Sequence, residues 1–220
     1  MKNYITPLWL LFWSVAIGLV VSFVSNEIAM YSFLLASVTA NIIAVVQLSS
    51  RNRRLQKSKK LMIASFVTLL ILIAQIVIMY RIGEPDSLAP WVGLTMFAIF
   101  LLATYTSAIL TILGSFQQLY GLAEMAEEAN EKKHARAVRH FFIYHLISTA
   151  ILVGIQRMDD GGAVVGKVIK YALAAVSVYR LYLYYRSIGI ERAHEARIVA
   201  APVKKAAPRP KKKSKKKPKP

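Results

Sequence analysis

Four apolar runs, at 5–25, 29–48, 61–80 and 91–114, hold not one Asp, Glu, Lys or Arg. Each is close to the ~20 residues a helix needs to cross a hydrocarbon core. A chain built this way is expected to be a polytopic membrane protein. Its mean hydropathy of +0.45 and 56% apolar content agree. With 220 residues it has room for a bundle of spans, but not for a bundle plus a folded soluble domain.

The first run follows Lys2, as a signal peptide would. Its apolar core is longer than the usual signal h-region and further runs follow, so an uncleaved first span is expected. Two more runs, 140–156 and 164–185, are less clean, the second carrying Lys167, Lys170 and Arg180. Between them Asp159-Asp160-Gly161-Gly162 is a turn signal. The expected fold is therefore all-α: a transmembrane helical bundle over 1–186 with six spans in three hairpins.

Charge orients those spans. Arg51–Lys60 holds six basic residues and no acid, whereas Glu27, Glu84, Asp86, Asp159 and Asp160 dominate the other set of turns. Lys/Arg excess marks the cytoplasmic side, which predicts both termini inside. Residues 119–139, rich in Ala, Glu, Lys and Arg, are expected to continue the fourth span as a cytosolic helix past Gly121 and then turn back into the fifth. A short helix is expected at 187–199. Beyond it, 200–220 is a Lys/Pro-rich tail, expected to be disordered and extended by like-charge repulsion. The expected compartment is a bacterial plasma membrane.

Polar residues inside the spans divide into two sets. Asn41, Gln75, Thr104 and His145 are expected at helix–helix interfaces, where amides and hydroxyls bond across the seam. Lys167, Lys170 and Tyr171 share one face of span six: the lysines extend to the headgroups, face a solute anion, or belong to a helix lying in the interface. The first four spans carry no carboxylate, which weighs against proton- or cation-coupled transport.

Enzyme signals are sparse. Two Glu-x-x-His segments, Glu131–His134 and Glu191–His194, place a carboxylate and an imidazole one helical turn apart, as in di-iron bundles. Their neighbours Lys132, Lys133, Arg192 and Arg197 would repel a cation, so no metal, cofactor or catalytic residue is expected. Glu127-Glu128 followed by Phe141 and His145 resembles part of the paired-Glu and Phe-x-x-x-His motifs of intramembrane prenyl-protein proteases. The chain departs from that pattern: Lys132 stands where the family has Arg, and the later histidine motif is missing. No cysteine is present, which removes disulfides and thiolate chemistry.

The strongest chemical signal outside the bilayer is the tail. Of the net charge of +18, ten positive charges lie in it: Lys204, Lys205, Arg209, Lys211, Lys212, Lys213, Lys215, Lys216, Lys217 and Lys219. No aromatic residue is interleaved, so base stacking is not available. Anionic lipid headgroups are the expected partner, with ribosome or nucleic acid, an acidic protein and a second copy of the chain as alternatives. The expected function is a non-enzymatic membrane scaffold or assembly accessory. The runner-up is a small channel or carrier for an anionic solute, and a membrane metalloenzyme stands third.

Overall fold

The computed structural model describes residues 3–21, 23, 24, 26–82, 90–155 and 163–200, leaving out the side chains of 27, 28, 30, 31, 79–82, 90, 148–155 and 163–170. The described residues form six helices and no strand: α1 (Ile5–Val21), α2 (Glu27–Leu48), α3 (Arg53–Ile82), α4 (Pro90–Glu128), α5 (Lys132–Ile155) and α6 (Ala163–Ala200). The all-helical reading holds. Two of the helices, over Arg53–Ile78 and Trp91–Glu128, are long and apolar enough to cross a membrane. In α1 the helix itself has 17 residues, short of the ~20 of a straight crossing.

Local chemistry sets the helix ends. Asn3, Asn26 and Asn52 each accept a bond at the start of a helix, from the backbone N–H of Ile5, Ala29 and Leu55, at 2.9, 3.0 and 2.9 Å. Such caps satisfy N–H groups that the helix cannot. Helix α4 opens on Pro90, whose fixed φ suits the first position and whose missing N–H costs nothing there.

The cytosolic-helix region 119–139 is divided between the extension of α4 and the start of α5. Helix α4 runs straight on to Glu128, and the chain reverses at Ala129-Asn130-Glu131 before α5 begins at Lys132. Asn130 takes the left-handed conformation, φ 68°. Its N–H bonds to the Glu127 carbonyl at 2.9 Å, and that of Glu131 to Ala126 at 2.8 Å. This double bond pattern ends a helix by satisfying its last carbonyls, and Asn is the residue after Gly that best tolerates the geometry. The helix expected separately at 187–199 is likewise the continuation of α6. No proline lies between Pro90 and Pro202, so nothing breaks α6 before Ala200.

The hairpins are antiparallel. Ser37 donates to the Ser14 carbonyl at 2.7 Å across α1–α2. In α3–α4, Ser58 donates to the Gly114 carbonyl at 2.9 Å, and Ser65 meets Thr111 Oγ1 at 2.7 Å. Asn52, besides capping α3, donates to the Gly121 carbonyl at 2.9 Å. Small residues let these backbones come close. A Cβ on Gly121 would sit 2.6 Å from Leu55 Cγ, inside any tolerable contact.

The core is at one end. Leu8 and Leu11 of α1, Val45 and Leu48 of α2, Leu55 of α3, Leu119 and Leu122 of α4, Val138 and Phe141 of α5, and Leu183, Tyr184 and Ile188 of α6 form one buried cluster. All lie toward the end where the α2–α3 and α4–α5 turns, the start of α1 and the close of α6 meet. The opposite half exposes Phe33, Leu35, Ile76, Leu94, Phe97 and Leu102.

Candidate functional site

The polar residues of the packed end are tied together rather than scattered. The short α2–α3 turn projects Arg51 into the junction of three other helices. Its Nη2 lies 2.9 Å from Glu128 Oε2 at the end of α4 and 3.7 Å from Glu191 Oε1 on α6. The guanidinium carbon sits 5.2 Å from the centroid of the Tyr4 ring, just before α1. The Glu128 contact is an ion pair without an aligned hydrogen bond.

A second cluster surrounds Tyr120. Arg54 of α3 and Arg139 of α5 both lie over its ring, 5.3 and 5.9 Å from the centroid. Arg54 Nε donates to Glu124, and Arg139 Nη2 to Glu127 at 2.9 Å. Glu124 and Glu127 lie one and two turns along α4 from Tyr120, so a single helix supplies the ring and both carboxylates. On the next face, Tyr184 Oη accepts from Arg180 Nε at 3.0 Å and from Gln118 Nε2 at 3.3 Å.

Between these clusters, His134 of α5 meets Ser187 of α6, Nε2 to Oγ 2.9 Å, with both side chains buried. Ser187 Oγ also donates to the Leu183 carbonyl of its own helix at 2.9 Å. That bond uses the hydroxyl proton, so the imidazole presents Nε2–H to the serine oxygen. In this tautomer the pair is an interhelical strut, and the ring is not aimed to take the serine proton. Burial, reinforced by the nearby Arg186 charge and opposed by Glu131, lowers the His134 pKa to about 4. The ring is neutral at pH 7.

Glu191 is buried one turn beyond Ser187. Burial raises its pKa above the ordinary carboxylate value, and the Arg51 charge opposes the shift. A cavity between Leu8, Leu122, Met125 and Ala126 on one side and Ser187 and Glu191 on the other measures about 10 Å³. That is room for about one water.

The two Glu-x-x-His segments do come to the same end of the molecule, but not as a joint ligand set. His134 goes to Ser187, while Glu191 faces Arg51. Among the described residues no three of His, Asp and Glu converge on a point a metal would occupy. Sequence reasoning weighed the segments holding His134 and Glu191 as a metal motif, expected no metal there, and missed Arg51, the residue that joins Glu191 to Glu128. The signal available was the Asn52 cap, which fixes Arg51 just outside the start of α3.

Of the expected interface residues, Asn41 and Gln75 are half-buried, and each has a side-chain oxygen closed off from solvent without a hydrogen-bond partner. His145 is half-buried and stacks on Phe141, centroids 6.2 Å apart. Thr104 is exposed and donates to the Phe100 carbonyl of its own helix at 2.8 Å, so it does not join a seam. Tyr171 is 66% exposed. Lys167 and Lys170 lie on α6 with side chains outside the described set, and the ten cations of the tail are outside the described residues altogether.

No protein-family model, no curated protein and no solved structure matches this chain.

Proposed function

We propose that this is a six-span integral membrane protein, both termini cytoplasmic, that acts as a non-enzymatic scaffold through a polybasic cytosolic face and tail. In this reading the face engages anionic surfaces, lipid headgroups foremost, and the membrane is a bacterial inner membrane.

The observation that carries the reading is the division of the molecule by charge and packing. In the apolar window of α3 only 11% is buried, and in that of α4 only 6%. A soluble core helix of that composition would be covered by its neighbours; these are bare, as lipid-facing helices are. At the opposite end Glu124, Glu127, Glu128 and Glu191 are engaged by Arg54, Arg139 and Arg51. Cations remain on the surface in excess: Arg53, Lys57, Lys60, Lys132, Lys133, Arg136, Arg192 and Arg197 are exposed and, among the described residues, in no salt bridge. The tail adds ten more. Positive charge gathered at one end is the pattern of a cytosolic face.

The test is a pair of preparations, the full chain and the chain ending at Ala200. The full chain should co-sediment with anionic liposomes and lose that binding as salt is raised, while the shortened chain binds more weakly. Identical binding by both removes the tail from the mechanism. Extraction of the full chain from membranes by alkaline carbonate removes the spanning topology.

A further inference from the structure

We propose that the outward face of the first two turns of α3, Arg53, Lys57 and Lys60, binds the headgroup of an anionic phospholipid in the cytosolic leaflet. This rests on the membrane-spanning reading above, and it places lipid recognition on the folded bundle rather than on the tail alone.

Helix periodicity sets the face. Leu55, Ser58, Met62 and Ser65 line one side of α3 and meet α4: Ser58 bonds to Gly114, Met62 Cγ lies 3.2 Å from where a Gly114 Cβ would be, and Ser65 bonds to Thr111. Arg53, Lys57 and Lys60 lie on the opposite side. All three are exposed. Arg54, between them in sequence, turns to α4 and takes up Glu124, so that carboxylate is already engaged.

The same stripe then changes character. Ala64, Val67 and Ile71 continue it, exposed and wholly apolar. At 1.5 Å per residue, Arg53 to Lys60 spans about 10 Å, and Lys60 to Ile71 about 16 Å. A leaflet has an interfacial layer of ~5–8 Å over a half-core of ~15 Å, and a lysine stem extends several ångströms further toward water. Phosphate followed by acyl chain therefore matches cation followed by apolar surface, in order and in length. A nucleic acid duplex meets the same three cations only by pressing against the membrane surface. A lipid reaches them by lateral diffusion.

The experiment uses the full chain and the chain ending at Ala200, each reconstituted in phosphatidylcholine vesicles with spin-labelled phosphatidylglycerol or spin-labelled phosphatidylcholine. The motionally restricted fraction gives the preference for the anionic lipid. It should persist without the tail and fall about fivefold in the triple variant R53Q/K57Q/K60Q. The variant K132Q/K133Q/R192Q removes the same charge from the same end, at the α4–α5 turn and on α6 past Ser187, and should lower it by less than about twofold. A triple α3 variant with undiminished preference overturns the proposal, as does equal loss in both triple variants, which would mean bulk charge alone. Equal competition by inorganic phosphate overturns it too, identifying a free-anion site. A chain that carbonate extracts from the vesicles fails the parent reading instead, so the two failures are told apart.

Discussion

One half of this molecule is packed like a soluble protein and the other is not. Around Leu8, Leu48, Leu55, Leu122 and Tyr184 all six helices contribute to a single cluster in which side chains are almost fully covered. A few turns away on the same helices, Ile76, Trp91, Leu94 and Leu102 are more than half exposed. Among the described residues, buried hydrophobic ones outside the packed end are few, Leu72 and Ala103 among them. Composition does not explain the contrast, since both halves are rich in Leu, Ile and Val. In the membrane-spanning reading proposed above, the surroundings do. In water an apolar side chain gains by leaving solvent. In a bilayer the acyl chains are as apolar as leucine, so helices gain only through close contact and hydrogen bonds between them. In that reading the hydroxyl seam of Ser65 and Thr111 is an example, and the leucine cluster belongs to the other regime.

That contrast can be broken by matched truncations. Leu122→Ala should cost about 3 kcal/mol of stability, since it empties space in a covered site. Leu102→Ala, on a 70% exposed residue, should change it by less than about 0.5 kcal/mol. Detergent-titrated unfolding of the two variants compares them directly, and equal losses would dissolve the distinction. The α3–α4 crossing sharpens the point with an addition instead of a deletion. Gly121→Ala should cost about 2 kcal/mol, because the new methyl overlaps Leu55. Leu55→Ala should relieve that clash, so the double variant loses less than the two singles summed.

An effect smaller than either packing loss concerns acid. His134, with its pKa lowered in the fold, stabilises the packed end above its unfolded value of 6.5, and this is lost as pH falls toward about 4. Glu191 acts oppositely: its raised pKa means the folded state holds a proton more tightly, so its contribution declines as pH rises past the ordinary carboxylate range. Between pH 7 and 5 the histidine dominates, because the unfolded imidazole titrates there. The wild type should lose about 1 kcal/mol over that window, and His134→Gln should flatten the loss. Melting temperatures at the two pH values decide it.

The helical class was legible in the four uncharged runs: α1 falls within the first, and α2, α3 and α4 contain the other three. The end of α4 was harder to see. Residues 119–139 are good helix formers throughout, and only Asn130, tolerant of a left-handed backbone, marks the reversal. The continuity of α6 through 186–187 was also hidden, because a change from apolar to charged residues looks like a boundary although nothing in it stops a helix. Thr104 shows a third limit. Its hydroxyl can be satisfied by its own backbone, so helical spacing cannot say whether it faces a partner.

Sequence by itself determined that the described chain is helical, that long stretches of it are uncharged, and that basic residues concentrate in particular turns and the tail. Those are properties of neighbours along the chain. Tertiary structure decided which acids the arginines take up. Arg51 meets Glu128 and Glu191, 77 and 140 positions away by their numbers, and so the exposed surface of this end is left with its excess of cations. Ion pairing acts over a few ångströms of space, and folding alone brings such distant residues that close.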